Sequence, residues 1–309
     1  METDLLFQLV ESFLDKSASY DASKTIDFNN PFSASESLEF SGNAIFHKEV
    51  DMAGHTLRVY GNVRCKHAIQ NASLLVYGSV TIDGECKNCN VFSHSSIYVH
   101  HAAESNFWSY GDIDIEVEAV NSSFSAAGSI NGKNAAIRGG RLASNGNITL
   151  DSVSSLGEHG RTSLIIGDRK IIFAKVSAID ANIKRLENDL VEVTDCINIF
   201  ARKIVEKRLI GVHIPQFEAV KKQKVDIENQ LNEQKEMREQ FLHAHTSTNK
   251  KSGGNIIIRS RASNDIFIEI EGSRLETQKP AQSVLFYTNG KEVFMDTYYP
   301  ETSHQPVLS

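Results

Sequence analysis

A short phrase returns six times between residues 60 and 148: YGNV (60–63), YGSV (77–80), HSSI (94–97), YGDI (110–113), AGSI (127–130) and NGNI (145–148). The glycine position falls at Gly61, Gly78, Ser95, Gly111, Gly128 and Gly146, a period of about 17 residues. A fixed period of this kind constrains the fold more than any composition, because each repeat must be one structural unit packed on its neighbours.

Stacking the units produces columns. Two places after the glycine position stand Val63, Val80, Ile97, Ile113, Ile130 and Ile148. Four places before it stand Leu57, Leu74, Val91, Phe107, Phe124 and Leu142. Two places before it stand Val59, Val76, Ser93, Ser109, Ala126 and Ser144, which are small or medium-sized. The three columns share one parity, so they face one side of short strands. The pattern predicts a parallel β-helix, one coil per repeat, with these columns stacked inside. Each inward aliphatic contributes roughly 1.5–3 kcal/mol of burial. Glycine is expected at a corner that needs unusual dihedrals. Asn71, Asn88 and Asn121, seven places before the glycine position, mark a second corner, where asparagine tolerates the left-handed region. An antiparallel sandwich could have similar strand spacing, but nothing in it would keep columns in phase.

Near Lys175 the period changes. Ile179, Ile183, Leu186, Leu190, Val193, Ile197, Phe200 and Ile204 alternate at spacings of four and three, a coiled-coil seam. Gly211 and Pro215 punctuate a turn, and a second helix is expected over about 216–243. Its seam is Phe217, Val220, Ile227, Leu231 and Phe241, with polar gaps at Lys224, Gln234 and Arg238. The pair predicts an antiparallel hairpin roughly 45 Å long. After HTSTNKKSGG (245–254) strands resume, including a hairpin through TNGK (288–291). At the other end, Leu5, Leu6, Leu9, Val10, Phe13 and Leu14 form an amphipathic helix that would cap the open coil. The expected division is therefore a helix and cap over 1–40, β-helix rungs over 41–171, the hairpin insertion over 172–247 and completing strands over 248–309.

This order of parts resembles the flagellar assembly protein A family, bacterial β-helix proteins with a coiled-coil insertion. The resemblance rests on the glycine–polar–aliphatic rungs, the phrase SLGEHGRTSLIIGDRK (155–170), the helical pair, and SNDIFIEIEGSRLE followed by SVLFYTNGKEV. Gly157, Gly160, Thr162 and Gly167 match the family's last-rung phrase. It spans roughly residues 54–293. It implies a right-handed coil in a cytoplasmic protein linked to flagellation or polar organisation, and no catalytic residues. Members usually carry a mixed α/β domain before the β-helix; with about 40 residues ahead of the rungs, this chain is expected to lack it. The septum-site inhibitor and bactofilin families use related β-helices for self-assembly, an analogy of fold only.

The residues themselves exclude several functions. The net charge of -7 opposes binding to nucleic acid. No run of apolar residues reaches the roughly 18 that a membrane span needs, and the acidic opening METDLLFQLV is no secretion signal. Cys65, Cys86, Cys89 and Cys196 are too few for a disulfide framework, and the lone CKNC (86–89) lacks a second ligand pair for zinc. No metal or cofactor is expected, and no phosphate-binding loop is present in the sequence.

Two surface patterns remain. Asp112, Asp114 and Glu116, with His100 in the preceding rung, form an outward acidic row that could serve a carbohydrate-active or carbohydrate-binding β-helix. The other pattern is apolar. Three places before the glycine position stand Leu75, Phe92 and Trp108, and one place before it stand Tyr77, His94 and Tyr110. Both columns point away from the coil, about 4.8 Å apart from rung to rung. A bare patch of that size marks an interface, unless the chain covers it. The leading expectation is a non-enzymatic scaffold that self-associates through this stripe, a dimer in the first instance, with a further protein partner.

Overall fold

A computed structural model describes residues 24–157, 160–206, 214–246 and 254–299. The expected amphipathic helix over Leu5–Leu14, the turn at Gly211 and residues 247–253 of the linker after the second helix lie outside the described residues. The protein is a β-solenoid of about eight turns, mainly parallel, with two helices. It divides into two compact units, the β body and the helical pair.

Three parallel ladders make the β body. The first stacks Thr25–Phe28, Asn43–Phe46, Val63–Cys65 and then residues 80–82, 97–99, 113–115, 130–132, 148–150 and 256–258. The second is short and runs from Phe32–Ser33 through Val50–Asp51 and Ile69–Gln70 to residues 152–153 and 261–262. The third runs from Leu38–Phe40 through Thr56–Val59, Ser73–Val76, Asn90–Ser93 and Asn106–Ser109 to Thr162–Ile166 and Phe267–Ile270. Val63, Val80, Ile97, Ile113, Ile130 and Ile148 are in direct register and buried, as the columns predict. Phe107 is inside and stacks on Phe124, with ring centroids 4.7 Å apart.

The coil starts earlier than the expected boundary at residue 41. Residues 25–40 already form a full turn, plugged by Phe28 stacked on Phe46 at 4.5 Å and by Phe32 beside both. The repeat was masked here for a physical reason. The rung from Asn43 to Asn62 takes 19 residues, and Ala44 replaces the β-branched residue of the column.

The corners explain the remaining columns. Asn71, Asn88 and Asn121 have φ of 52°, 52° and 45°, the left-handed geometry expected of them. The glycine corner works differently from the expectation. Gly61, Gly78, Gly111, Gly128 and Gly146 do not have positive φ; their role is close approach. A Cβ on Gly61 would lie 2.2 Å from the Gly42 carbonyl oxygen in the rung below. The small column beside it holds buried serines. The Ser93 hydroxyl donates to the Gly78 carbonyl at 2.7 Å and accepts from the Ser95 N–H at 3.1 Å. Ser109 donates to the Ser95 carbonyl and accepts from Gly111 N–H at 3.0 Å, and Ser144 repeats the pattern on Gly128 and Gly146. Each serine ties its own turn to the previous rung, so these buried hydroxyls are satisfied.

The helices, α1 (Lys170–Val205) and α2 (Ile214–Thr246), lie between the strands Thr162–Ile166 and Ile256–Ala262. Leu186, Val193, Ile227 and Leu231 form a buried cluster, flanked by Ile183, Leu190, Ile197 and Val220. Lys235 pairs with Glu187 at 3.0 Å, and Arg238 with Asp180 at 2.6 Å. No helix among the described residues is long and apolar enough to cross a membrane.

The coil ends in antiparallel strands. Phe267–Ile270 turns back as Ser273–Glu276 through Glu271 and Gly272, both at positive φ. Ile256–Ala262 pairs with Ala281–Thr288, which pairs with Val293–Thr297.

Candidate interaction surface

The register places the suspected stripe where the sequence puts it. Leu75 stands opposite Phe92, and Phe92 opposite Trp108, on the outside of the third ladder. None of the three belongs to the core inside the coil. The aromatic row beside them is continuous. Tyr77 stacks on His94 at 4.4 Å, and His94 meets Tyr110 edge-on at 5.1 Å. Phe92 is edge-on to both His94 and Tyr110, at 5.4 and 5.2 Å.

The stripe is not open to solvent, and this corrects the reading of it as a bare patch. Within a single chain, Leu75 is 2 %, Phe92 0 %, Trp108 6 % and Tyr110 5 % exposed. Tyr60, Ala127 and Ala143, which extend the same two columns, are buried as well. Burial pushes the Tyr110 hydroxyl's pKa above its ordinary value. Tyr77 alone is exposed, and His94 is half-buried. The middle of the third face is therefore packed on both sides. The row opens and closes with ion pairs instead: Arg58 to Glu39 at 3.3 Å, and Arg274 to Glu269 at 2.9 Å. One signal for this was in the sequence. Strands buried on both faces read as apolar runs, not alternations. The pairs Leu74–Leu75, Val91–Phe92 and Phe107–Trp108 are such runs.

The acidic row is exposed, but each acid is held by a neighbouring rung. Asp112 accepts from the Ser129 N–H at 2.7 Å, and Asp114 from the Asn131 amide at 3.1 Å. Glu116 accepts from the Tyr98 hydroxyl and lies 3.6 Å from His100 Nε2. His100 and His101 approach through their Nδ1 atoms at 2.6 Å, so one donates to the other. Asp83, on the same ladder, pairs with Arg64 at 2.9 Å. An open depression of about 410 Å³ lies beside Tyr98, Asp114, Glu116, Asn131 and Lys133. Among the described residues no three His, Cys, Asp or Glu side chains converge on a point that could hold a metal ion. The arrangement is a polar ladder binding rung to rung.

Three of the four cysteines are built into the coil, and Cys196 is exposed on its helix. Cys65, Cys86 and Cys89 are buried in the coil. Cys89 occupies the same corner column as Ser105 and Ser122. Its thiol donates to the Lys87 carbonyl at 3.1 Å, as Ser105 does to Ala103 at 2.7 Å and Ser122 to Val120 at 2.9 Å. Burial raises the Cys65 thiol to about 12 and the Cys86 thiol well above 9. Neither is a thiolate near neutral pH, so neither is poised as a ligand or nucleophile.

A coil of this architecture, with parallel rungs, two long helices before the final parallel strands and an antiparallel end, invites comparison with known families. The model of the Flagellar Assembly Protein A beta solenoid domain matches residues 37–293. The chain belongs to the flagellar assembly protein A family. The match begins in the first described coil, one residue before the strand Leu38–Phe40, and ends at the start of Val293–Thr297. It includes both helices. No curated protein and no solved structure matches the chain.

Proposed function

We propose that this chain is a non-enzymatic, cytoplasmic scaffold acting in flagellar assembly or polar organisation, and that its two helices form a coiled-coil hairpin used as a recognition arm. One observation carries the reading. In the β body, the corner from Ser144 to Ile148 takes residues 145–147. The corresponding corner of the next rung, from Ile166 to Ile256, takes in both helices, while Gly254 still sits on Gly146 as an ordinary rung would. The solenoid continues across the interruption, so the helices are additional to what the β fold requires. The cluster of Leu186, Val193, Ile227 and Leu231 and the Glu187–Lys235 pair support a hairpin that holds itself together. Self-association belongs to the same reading, although the buried Leu75, Phe92 and Trp108 do not offer it a surface.

The test is complementation. A bacterium deleted for the native chain receives either the full chain or a form in which residues 167–253 are replaced by a single asparagine. The expected result is that the shortened chain keeps its β-sheet circular dichroism but fails to restore flagellation and swimming. Full restoration by the shortened chain would exclude the arm. Normal flagellation in the deletion strain would exclude the flagellar role.

A further inference from the structure

We propose that the last strand of the solenoid, Val293–Thr297, pairs antiparallel with the same strand of a second copy, joining two chains at their C-terminal β ends. This deepens the scaffold reading by naming the surface through which copies meet.

The strand Val293–Thr297 pairs with Ala281–Thr288 on one side. Among the described residues its only strand pairing is this one, although it also approaches Phe267–Ile270 and Ser273–Glu276. Successive strands of a ladder stack along the coil axis, so an edge on the last strand that no strand pairs presents backbone N–H and C=O groups at the end of the coil, the Thr297 N–H among them donating to the Asp296 carboxylate at 2.7 Å. Proteins ordinarily blunt such edges with charges or proline. The chain does so at the neighbouring terminal strand. Ser273–Glu276 carries Arg274, paired with Glu269, and Glu276, paired with Arg161. Val293–Thr297 reads VFMDT, with Asp296 its single charge. Met295 is 53 % and Tyr299 79 % exposed. Tyr287 stacks on Phe294 at 5.5 Å and extends the apolar surface to the adjacent strand.

Charge selects both the occupant and its register. In a twofold antiparallel pair, opposed residues have the same parity, and like charges directly opposite are destabilising. Centring the axis on Met295 opposes Val293 to Thr297, Phe294 to Asp296 and Met295 to its own copy. This register uses the whole strand and opposes no like charges. Moving the axis to Phe294 puts Glu292 against Asp296. Moving it to Asp296 puts that carboxylate against itself. The strand is thus self-complementary in the one register that overlaps completely.

Sedimentation velocity of the full chain over a wide concentration range tests the proposal, alongside Met295→Lys, Met295→Glu and an equimolar mixture of the two. Met295 is exposed, so both variants are expected to keep the parent circular dichroism. The expected result is a concentration-dependent dimer for the parent chain. Each variant, with like charges at the axis, should dimerise at least about tenfold more weakly. The mixture should recover dimer through the opposed charges. A parent chain that stays monomeric, as it would if residues 300–309 folded back on the edge, overturns the proposal. So do variants that dimerise like the parent, or a mixture that remains monomeric. None of these outcomes depends on flagellation, so this proposal and the arm can fail separately.

Discussion

Trp108 stands directly opposite Phe92 in the third ladder, and both are shut away from solvent although both point out of the coil. The third face therefore has two apolar sides. Phe107 and Val91 pack inward, and Trp108 and Phe92 pack under a cover supplied by the chain itself. Trp108 sits within the folded chain as core residues do, outside the coil.

That relationship predicts the effect of Trp108→Ala. Truncating a buried aromatic costs about 3–5 kcal/mol through lost burial and the cavity left behind. The variant is expected to lower the urea midpoint and the melting temperature strongly, where a residue on an open interface would leave both nearly unchanged. The same residue supplies a direct optical check, since it is the single tryptophan of the chain. Its emission should be blue-shifted and poorly quenched by iodide in the native protein. Emission at the wavelength of a solvated indole would contradict the burial.

The serine corners predict a second, smaller effect. Ser109→Ala removes the hydroxyl that donates to the Ser95 carbonyl and accepts from the Gly111 N–H, while that N–H keeps its bond to the Ser95 carbonyl at 2.9 Å. Losing such a hydrogen bond while the backbone groups keep other partners costs about 0.5–1.5 kcal/mol. Denaturant unfolding should show that loss in Ser109→Ala and again in Ser144→Ala, which occupies the equivalent place. If both variants matched the parent, the hydroxyls would be bystanders.

Close approach, as opposed to dihedral freedom, predicts the response at Gly61. An added Cβ meets the backbone oxygen of Gly42 at 2.2 Å, and backbone cannot step aside as a side-chain end can. Overpacking of this kind typically costs about 1–3 kcal/mol. Gly61→Ala is expected to lower the melting temperature accordingly. Ser95 already carries a Cβ in the same column, so Ser95→Gly should change stability by less than about 1 kcal/mol.

The rung columns were legible because period-2 alternation and a fixed repeat length are strictly local signals. Val63 through Ile148 share one offset from the glycine position and stand in register. The first coil was hidden by Ala44 and a 19-residue rung, which blur both signals at once. Outward direction was also legible for Leu75, Phe92 and Trp108. Their burial is not legible, because it depends on what lies over the sheet, and no spacing encodes that. The acids show the converse limit. Asp112, Asp114 and Glu116 were visible as a row, but their partners Ser129, Asn131 and Tyr98 lie one rung away and give each acid a structural role. The free edge at Val293–Thr297 has no sequence signal beyond its missing charges.

The buried thiols predict an alkaline limit to stability. Desolvation raises Cys65 from its ordinary 9.0 to about 12 in the folded chain, with smaller contributions from Cys89 and Asp83. Between these values the unfolded chain gives up the thiol proton and the folded chain keeps it. The unfolded state then binds fewer protons, so stability is undiminished below pH 9 and falls as pH rises toward 12. The slope is roughly 1.4 kcal/mol per pH unit per thiol at its steepest. Cys86 moves in the same direction, again chiefly through burial. Lys175 acts oppositely. Burial lowers it from 10.5 to about 8, so stability rises with pH between those values on its account. Comparing the parent chain with Cys65→Val cancels Lys175, and cancels Cys86 apart from the small part of its shift that Cys65 supplies. Valine suits a position stacked between Phe46 and Ile82. Unfolding followed from pH 8 to 11 should show the variant losing stability less steeply than the parent. Parallel curves would mean that the Cys65 thiol ionises as readily in the folded coil as in the unfolded chain.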